Sequence, residues 1–242
     1  MNRGVNVKVY QASSYTDMCQ KAANLISAQI LLHPQSVLGL ATGSTPIGIY
    51  ERLVGGYNQG ELDFDGITTF NLDEYCGLSE SDPQSYHYYM NDHLLSKVNV
   101  KREKTHLPNV STGEVEAECK RYDDLIEACG GIDLQLLGLG NNGHIGFNEP
   151  GSVFEKNTHC VALDERTILA NSRFFNSLND VPSKAVTMGI KSIMHARRIL
   201  LVVNGEAKKE ILEKSLYGPI TPMVPASILQ LHPDLTVIWS AA

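Results

Sequence analysis

No stretch of this 242-residue chain approaches the run of roughly 20 apolar residues that a membrane span requires. Met1 to Tyr10 alternates polar and apolar residues and lacks the continuous apolar stretch of a secretion signal. Cysteine is sparse and unpatterned: Cys19, Cys76, Cys119, Cys129 and Cys160 are five in number, widely spaced and without a Cys-x-x-Cys pair. That argues against a disulfide framework or a zinc knuckle and suits a reducing cytoplasm. Basic charge is also short, with 20 Lys plus Arg against 27 Asp plus Glu and a net charge of −7. A general binder of nucleic acid or of an anionic membrane is therefore not expected. If the ligand is an anion, individual Arg, Lys and helix N-termini must attract it against the overall field. Repeats, low-complexity segments and long linkers are missing too.

The chain does have the length and the 43% hydrophobic content for one sizeable core. Short β-branched or leucine-rich runs at Val37–Ala41, Ile67–Asn71, Ile132–Leu137, Ala185–Met188, Arg198–Val203 and Leu235–Trp239 predict strands. Between them, Tyr15–Leu32, Pro46–Tyr57, Ser85–Leu95, Gly113–Cys129 and Glu206–Leu216 carry apolar residues at helical spacing. This rhythm predicts an α/β fold: residues 1–242 as a single-domain, Rossmann-like, open and mostly parallel sheet with helices on both faces. Gly151 to Pro182 is the most irregular stretch, with one weak strand at Cys160–Leu163, and reads as a lid over approximately residues 151–182 or as a plain surface insertion.

In open α/β sheets ligands lie beyond the carboxyl ends of the strands, so the residues that follow each run are informative. Thr42-Gly-Ser-Thr-Pro46 joins a glycine and hydroxyls to a proline where a helix begins. Thr45 can cap that helix, and the backbone N–H groups and dipole there suit a phosphate, although an ordinary capped turn has the same composition. It is not a nucleotide P-loop, because no lysine follows. Asp73 and Glu74 come just after an apolar strand, where one of them can lose water and act as a general base, or both can be solvated loop acids. Gly138-Leu-Gly140-Asn-Asn-Gly143 matches the dinucleotide fingerprint, and Asp164 falls near the ribose-binding distance, but turn residues from Phe147 to Gly151 stand where the fingerprint needs a helix.

His144 and Glu149 share that glycine-rich loop, a spacing that lets the carboxylate orient the imidazole for proton transfer. No second histidine lies at a ligand spacing, so a metal site is not expected. Arg173, within Asn171-Ser-Arg-Phe-Phe175, and Lys208, in the first turn of a helix, can each meet a phosphate or be solvated surface charges. The cluster Tyr86-His-Tyr-Tyr89 reads as helix packing, with no functional role.

Leu40-Ala-Thr-Gly-Ser-Thr-Pro46, Phe70-Asn-Leu-Asp-Glu-Tyr75, Gly138 to Pro150 and Asn171 to Phe175 together resemble the glucosamine-6-phosphate deaminase family over nearly the whole chain. The specific part is Gly143-His144 followed by Phe147-Asn-Glu-Pro150, since the related 6-phosphogluconolactonases differ after the Gly-His pair. The resemblance implies conversion of glucosamine 6-phosphate and water to fructose 6-phosphate and ammonia, with no metal or organic cofactor. It further implies that Asp73 moves a proton between C2 and C1, and that His144 with Glu149 opens the sugar ring. Thr42, Gly43, Ser44, Thr45, Arg173 and Lys208 would then hold the phosphate.

Two departures from the better-known hexameric members matter. Asn142 stands where an aspartate is usual; an amide can orient the imidazole but cannot stabilise its cation by charge. The basic residues that allosteric members carry after the Asn-Glu-Pro turn are replaced by His159-Cys-Val161, and the chain stops at Ala242. The expectation is a monomer or small homo-oligomer in the cytoplasm, not activated by amino-sugar phosphates. Two other readings stay open: a 6-phosphogluconolactonase-like hydrolase, which needs the histidine but no C2 base, and a non-catalytic sugar-phosphate sensor.

Overall fold

Runs of leucine and β-branched residues too short for helices pair side by side into a seven-stranded sheet with every neighbouring pair parallel. A computed structural model describes residues 6–110, 113–163, 168–169, 172, 175, 177 and 180–242. Its main strands are β1 (Asn6–Ala12), β2 (Val37–Leu40), β3 (Thr68–Asn71), β5 (Thr105–His106), β6 (Leu134–Gly138), β9 (Arg198–Asn204) and β10 (Asp234–Ser240), in the order β1-β10-β9-β6-β2-β3-β5. β2 is buried throughout, and β6 and β9 at all but their ends, as befits strands covered on both faces. From β2 the chain steps outward through β3 to β5, then returns to β6 on the other side of β2 and continues through β9 to β10. The connections leaving β2 and β6 therefore diverge, and a crevice opens at the carboxyl ends of this pair.

The helices are α1 (Tyr15–Leu32), α2 (Ile47–Asn58), α3 (Tyr86–His93), α4 (Val115–Ala128), α5 (Ile190–Met194) and α6 (Lys209–Tyr217). Ser14 caps α1 by accepting from the Asp17 N–H at 3.1 Å, and Asp17 returns the bond to the Ser13 N–H at 2.9 Å, which sets the start at Tyr15. α1 packs on α2 and on β1, β9 and β10, burying Met18, Ala22, Ile26 and Ile30 at helical spacing. Among the described residues no helix is long and apolar enough to cross a membrane.

The run at Ala185–Met188 departs from expectation. It forms β8 (Lys184–Thr187), which lies outside the main sheet and pairs antiparallel with β4 (Asp73–Tyr75) and β7 (His159–Ala162). Residues 159–162 of the expected lid are thus a sheet strand. β1, β4 and β5 are strands for which the sequence holds no apolar run: β1 is an alternating edge strand, β4 is three polar or aromatic residues, and β5 is two residues long. What holds them is pairing with neighbours distant in sequence, which local composition does not encode.

Gly189 joins the small sheet to α5 where its backbone passes close to residues 155–157: Ile190 and Lys191 donate N–H bonds to Glu155 O and Lys156 O at 2.9 Å. A β-carbon at Gly189 would stand 2.2 Å from the carbonyl oxygen of Asn157, a backbone atom with no rotamer to change. Gly189→Ala should cost about 2 kcal/mol or more of unfolding free energy, read as a lower urea midpoint; an unchanged midpoint would show that the 155–157 segment yields.

Candidate active site

The carboxyl ends of β2, β6 and β9, together with β4 just beyond β3, surround one cavity of about 620 Å³. Thr42, Gly43, Ser44 and Thr45 from the end of β2, Asp73 from β4, Asn142 and His144 from the β6 loop and Lys208 from beyond β9 all line it. Glu149 stands behind His144. Arg173 and Asn171 lie outside the described residues.

Three tyrosine hydroxyls hold the Thr42–Thr45 turn. Tyr50 donates to Ala41 O at 2.5 Å, Tyr89 to Gly43 O at 2.6 Å, and Tyr15 to Ser44 O at 3.3 Å while accepting from Gly48 N at 3.0 Å. Gly43 has φ +97°, a conformation glycine adopts without the steric cost other residues meet. Thr45 does not cap α2: the helix begins at Ile47 after Pro46, with no side-chain cap. The turn is held from outside by tyrosines instead. Lys208 closes a 3₁₀ turn, Glu206–Lys208, immediately before α6, and its Nζ donates to Leu139 O. Its ammonium is therefore not a solvated surface charge but is drawn over the end of β6, beside the turn.

The glycine-rich loop does not open a helix. Gly143 N donates to Gly140 O at 3.1 Å and Gly140 N to His144 O at 2.9 Å, so the chain doubles back on itself and brings the imidazole over Gly140. A β-carbon at Gly140 would stand 2.2 Å from His144 Nε2. The second glycine of the apparent dinucleotide fingerprint thus makes room for a side chain of the same loop. Glu149 Oε2 lies 3.3 Å from His144 Nδ1 and accepts from Asn142 Nδ2 at 2.6 Å, while Asn142 Oδ1 accepts from His144 N at 3.2 Å. Asn142 therefore fixes the carboxylate and the loop backbone, and orients the ring through Glu149 rather than by touching it.

Asp73 starts β4 and is not a loop residue. Its carboxyl is almost wholly buried, and burial together with the neighbouring Glu74 carboxylate pushes its pKa up to about 8. It meets the imidazole loop at Gly146, where a β-carbon would come 3.5 Å from Asp73 Oδ2 and 2.8 Å from Thr187 Oγ1; Thr187 Oγ1 in turn accepts from Phe147 N at 3.0 Å. A raised carboxylate and an imidazole–carboxylate pair on one cavity can take a proton from carbon and pass another between oxygens.

Sequence reasoning missed three contributors. Tyr86 lines the cavity, its ring stacked 6.2 Å from Phe147 and its hydroxyl within 3.2 Å of the Tyr75 hydroxyl, and burial keeps that phenol protonated. Tyr89 holds the turn, and Asn204, the last residue of β9, lines the cavity with a buried Oδ1 that has no hydrogen-bond partner among the described residues. Helical spacing hid the tyrosines among packing residues, whereas the position of Asn204 at a strand end was an available signal.

Fold and cavity together define a Rossmann-like α/β protein whose strand-end crevice sets a glycine- and hydroxyl-bearing turn and a lysine on the same cavity as a buried carboxyl and an oriented imidazole. The chain belongs to the family of glucosamine-6-phosphate isomerases and 6-phosphogluconolactonases, which matches residues 11–239. It is 60% identical over 232 residues to a glucosamine-6-phosphate deaminase of Lachnoclostridium phytofermentans, covering 96% of this chain and 98% of that one. A glucosamine-6-phosphate deaminase of Clostridium acetobutylicum is 53% identical, with 98% of each covered. Among solved structures, a monomeric glucosamine-6-phosphate deaminase superposes with a TM-score of 0.94 at 47% identity, covering 96% of this chain and 97% of that one. The 6-phosphogluconolactonase of Thermotoga maritima, at TM-score 0.78 and 19% identity over 97% and 100% of the two chains, shares the fold.

The raised Asp73 carboxyl makes stability depend on pH. Below about pH 4 it is protonated in both folded and unfolded chains; between about 4 and 8 the unfolded chain releases its proton and the folded chain keeps it, so stability falls as pH rises. Asp73→Asn should therefore leave stability unchanged near pH 4 and raise it above pH 8, by about 6 kcal/mol at most. Urea unfolding of both proteins across that range checks this, and a gain independent of pH would contradict it.

Proposed function

We propose that this chain is a glucosamine-6-phosphate deaminase, converting glucosamine 6-phosphate and water to fructose 6-phosphate and ammonia in amino-sugar catabolism. The observation that carries the reading is Asp73, a carboxyl kept out of water on the same cavity as the His144–Glu149 pair. A lactonase has no need of a base at C2, and a sensor has no need of either group. The deaminase relatives support the same choice.

On this reading Thr42, Gly43, Ser44, Thr45, Lys208 and Arg173 hold the phosphate, which supplies binding energy away from the reacting carbons and fixes the sugar's position. His144, oriented by Glu149 and Asn142, takes the proton of the anomeric hydroxyl and returns one to the ring oxygen, opening the pyranose. Asp73 in its ionised form removes the C2 proton, C1 is reprotonated, and the resulting C2 iminium takes up water and releases ammonia. The chain works as a single domain in the cytoplasm, as a monomer or small homo-oligomer, with any lid in the region of approximately residues 151–182 limited to the parts outside β7. No metal, organic cofactor, nucleic acid or membrane takes part.

Glucosamine 6-phosphate incubated with the protein in deuterated water should release ammonia and exchange its C2 hydrogen, with kcat/KM rising with pH up to about 8 as Asp73 ionises. Asp73→Asn should abolish the exchange and lower turnover about a thousandfold. Hydrolysis of 6-phosphogluconolactone without ammonia release would replace the deaminase reading by the lactonase one.

Gly140→Ala should displace the imidazole and lower kcat about a hundredfold with little change in stability. Unchanged turnover would mean that ring and carboxylate need not hold this geometry.

A further inference from the structure

Glu74 moves no proton in the chemistry above, yet its carboxylate is bonded at both oxygens. It is 2% exposed. Its Oε1 accepts from Tyr75 N at 2.8 Å and Tyr86 N at 2.9 Å; its Oε2 accepts from His87 N at 2.9 Å and lies 2.8 Å from His87 Nδ1. A carboxylate there accepts the hydrogen bond when His87 carries its proton on Nδ1. The Tyr86 and His87 amides are the first two of α3; Ser85 Oγ takes the third, from Tyr88, at 3.0 Å, and Ser85 O the fourth, from Tyr89. The amino end of α3 is thereby fully satisfied, half of it by a residue 12 to 13 positions earlier in sequence.

Alternation along a strand turns Asp73 and Glu74 to opposite faces of β4. Asp73 lines the cavity; Glu74 meets α3, whose Tyr86 lines the cavity as well. We propose that Glu74 is a positioning residue of this site: it ties the first turn of α3 to β4, so that Asp73 and Tyr86, carried on separate elements, hold a fixed separation across the cavity, and it places a second carboxylate next to the base. The inference rests on the deaminase reading for the identity of the reaction. The charge is the second component. Besides Glu74, the titratable groups around Asp73 among the described residues are Tyr75 on its own strand, Tyr86 on α3, Tyr122 on α4, and His144 and Lys208 on the same cavity. Around Glu74 they are His87 and, beyond it, Glu80, 3.8 Å from His87 Nε2. β8 presents only uncharged residues opposite the pair. A fixed anion beside Asp73 makes it a stronger base once ionised, which favours removal of a proton from carbon.

Glu74→Gln removes the charge and keeps an oxygen for the Tyr75 and Tyr86 amides. The proposal expects the midpoint of the acidic limb of kcat/KM to fall by about one pH unit, with KM for glucosamine 6-phosphate raised several-fold by the loosened Tyr86. The Asp73 carboxyl carbon in the ligand-free protein, assigned by its loss in Asp73→Asn, should titrate lower by the same amount in an NMR experiment. A variant with a lower melting temperature but an unmoved midpoint, unmoved Asp73 titration and unchanged KM would reduce Glu74 to a structural cap and overturn the proposal. If Glu74→Gln does not fold, His87→Ala removes one bond to the carboxylate and leaves its charge: KM should rise with the midpoint in place, and an unchanged KM overturns the positioning role. Absence of ammonia release by the parent protein would sink the deaminase reading alone, because the NMR titration tests Glu74 without substrate.

Discussion

A carboxyl group buried at the end of a sheet opposes folding, and the architecture around Asp73 is organised by that opposition. Moving an ionised carboxylate out of water is costly, and the chain meets the cost by keeping the proton on Asp73 until mildly alkaline pH. The surroundings have to stay dry and rigid for this to hold. β4 is fixed by antiparallel pairing to β8 and by its link to α3, and the backbone alongside continues into the main sheet, where Leu72 N donates to Leu40 O and Met188 N to Leu72 O. The small second sheet thus has a definite use: it supports, against the carboxyl ends of the parallel strands, a three-residue strand that could not exist alone.

The imidazole is held by a different device. His144 is part-exposed, with 20% of its side chain accessible, and its orientation comes from a loop that doubles back over Gly140 and from a carboxylate that Asn142 steadies. Asp73 thereby draws its character from exclusion of water, and His144 from a hydrogen-bonded frame. This separation lets a carboxyl and an imidazole share one cavity without the same environment acting on both. The protein's net charge of −7 would repel an anion approaching this cavity. The turn after β2, its carbonyls occupied by tyrosines, and Lys208 drawn over Leu139 O make the local field different from the global one.

Much of this was legible in the order of residues. Strand–helix alternation identified the parallel sheet, and the rule that ligands lie past strand ends pointed to Thr42–Thr45, Asp73, His144 and Lys208 before any geometry was known. Residues whose function arises from contact across long sequence distances were not legible. Tyr86 and Tyr89 look like packing on an amphipathic helix, since nothing local shows that one faces the cavity and the other a carbonyl 46 residues earlier. Gly140 looks like part of a nucleotide loop, because the imidazole that fills its missing side chain arrives only when the loop turns back.

By itself the sequence determined the alternating elements, the apolar periodicity that buries them and the kinds of chemistry available, because these depend on neighbours within a turn or a strand. Only the tertiary structure decided that Asp73 is a buried strand residue, that Glu74 fastens a helix while Asp73 lines the cavity, and that Asn142 acts on the histidine through Glu149. Desolvation, charge–charge repulsion and hydrogen-bond partners are properties of space, set by which segments meet, and adjacency in the chain does not specify them.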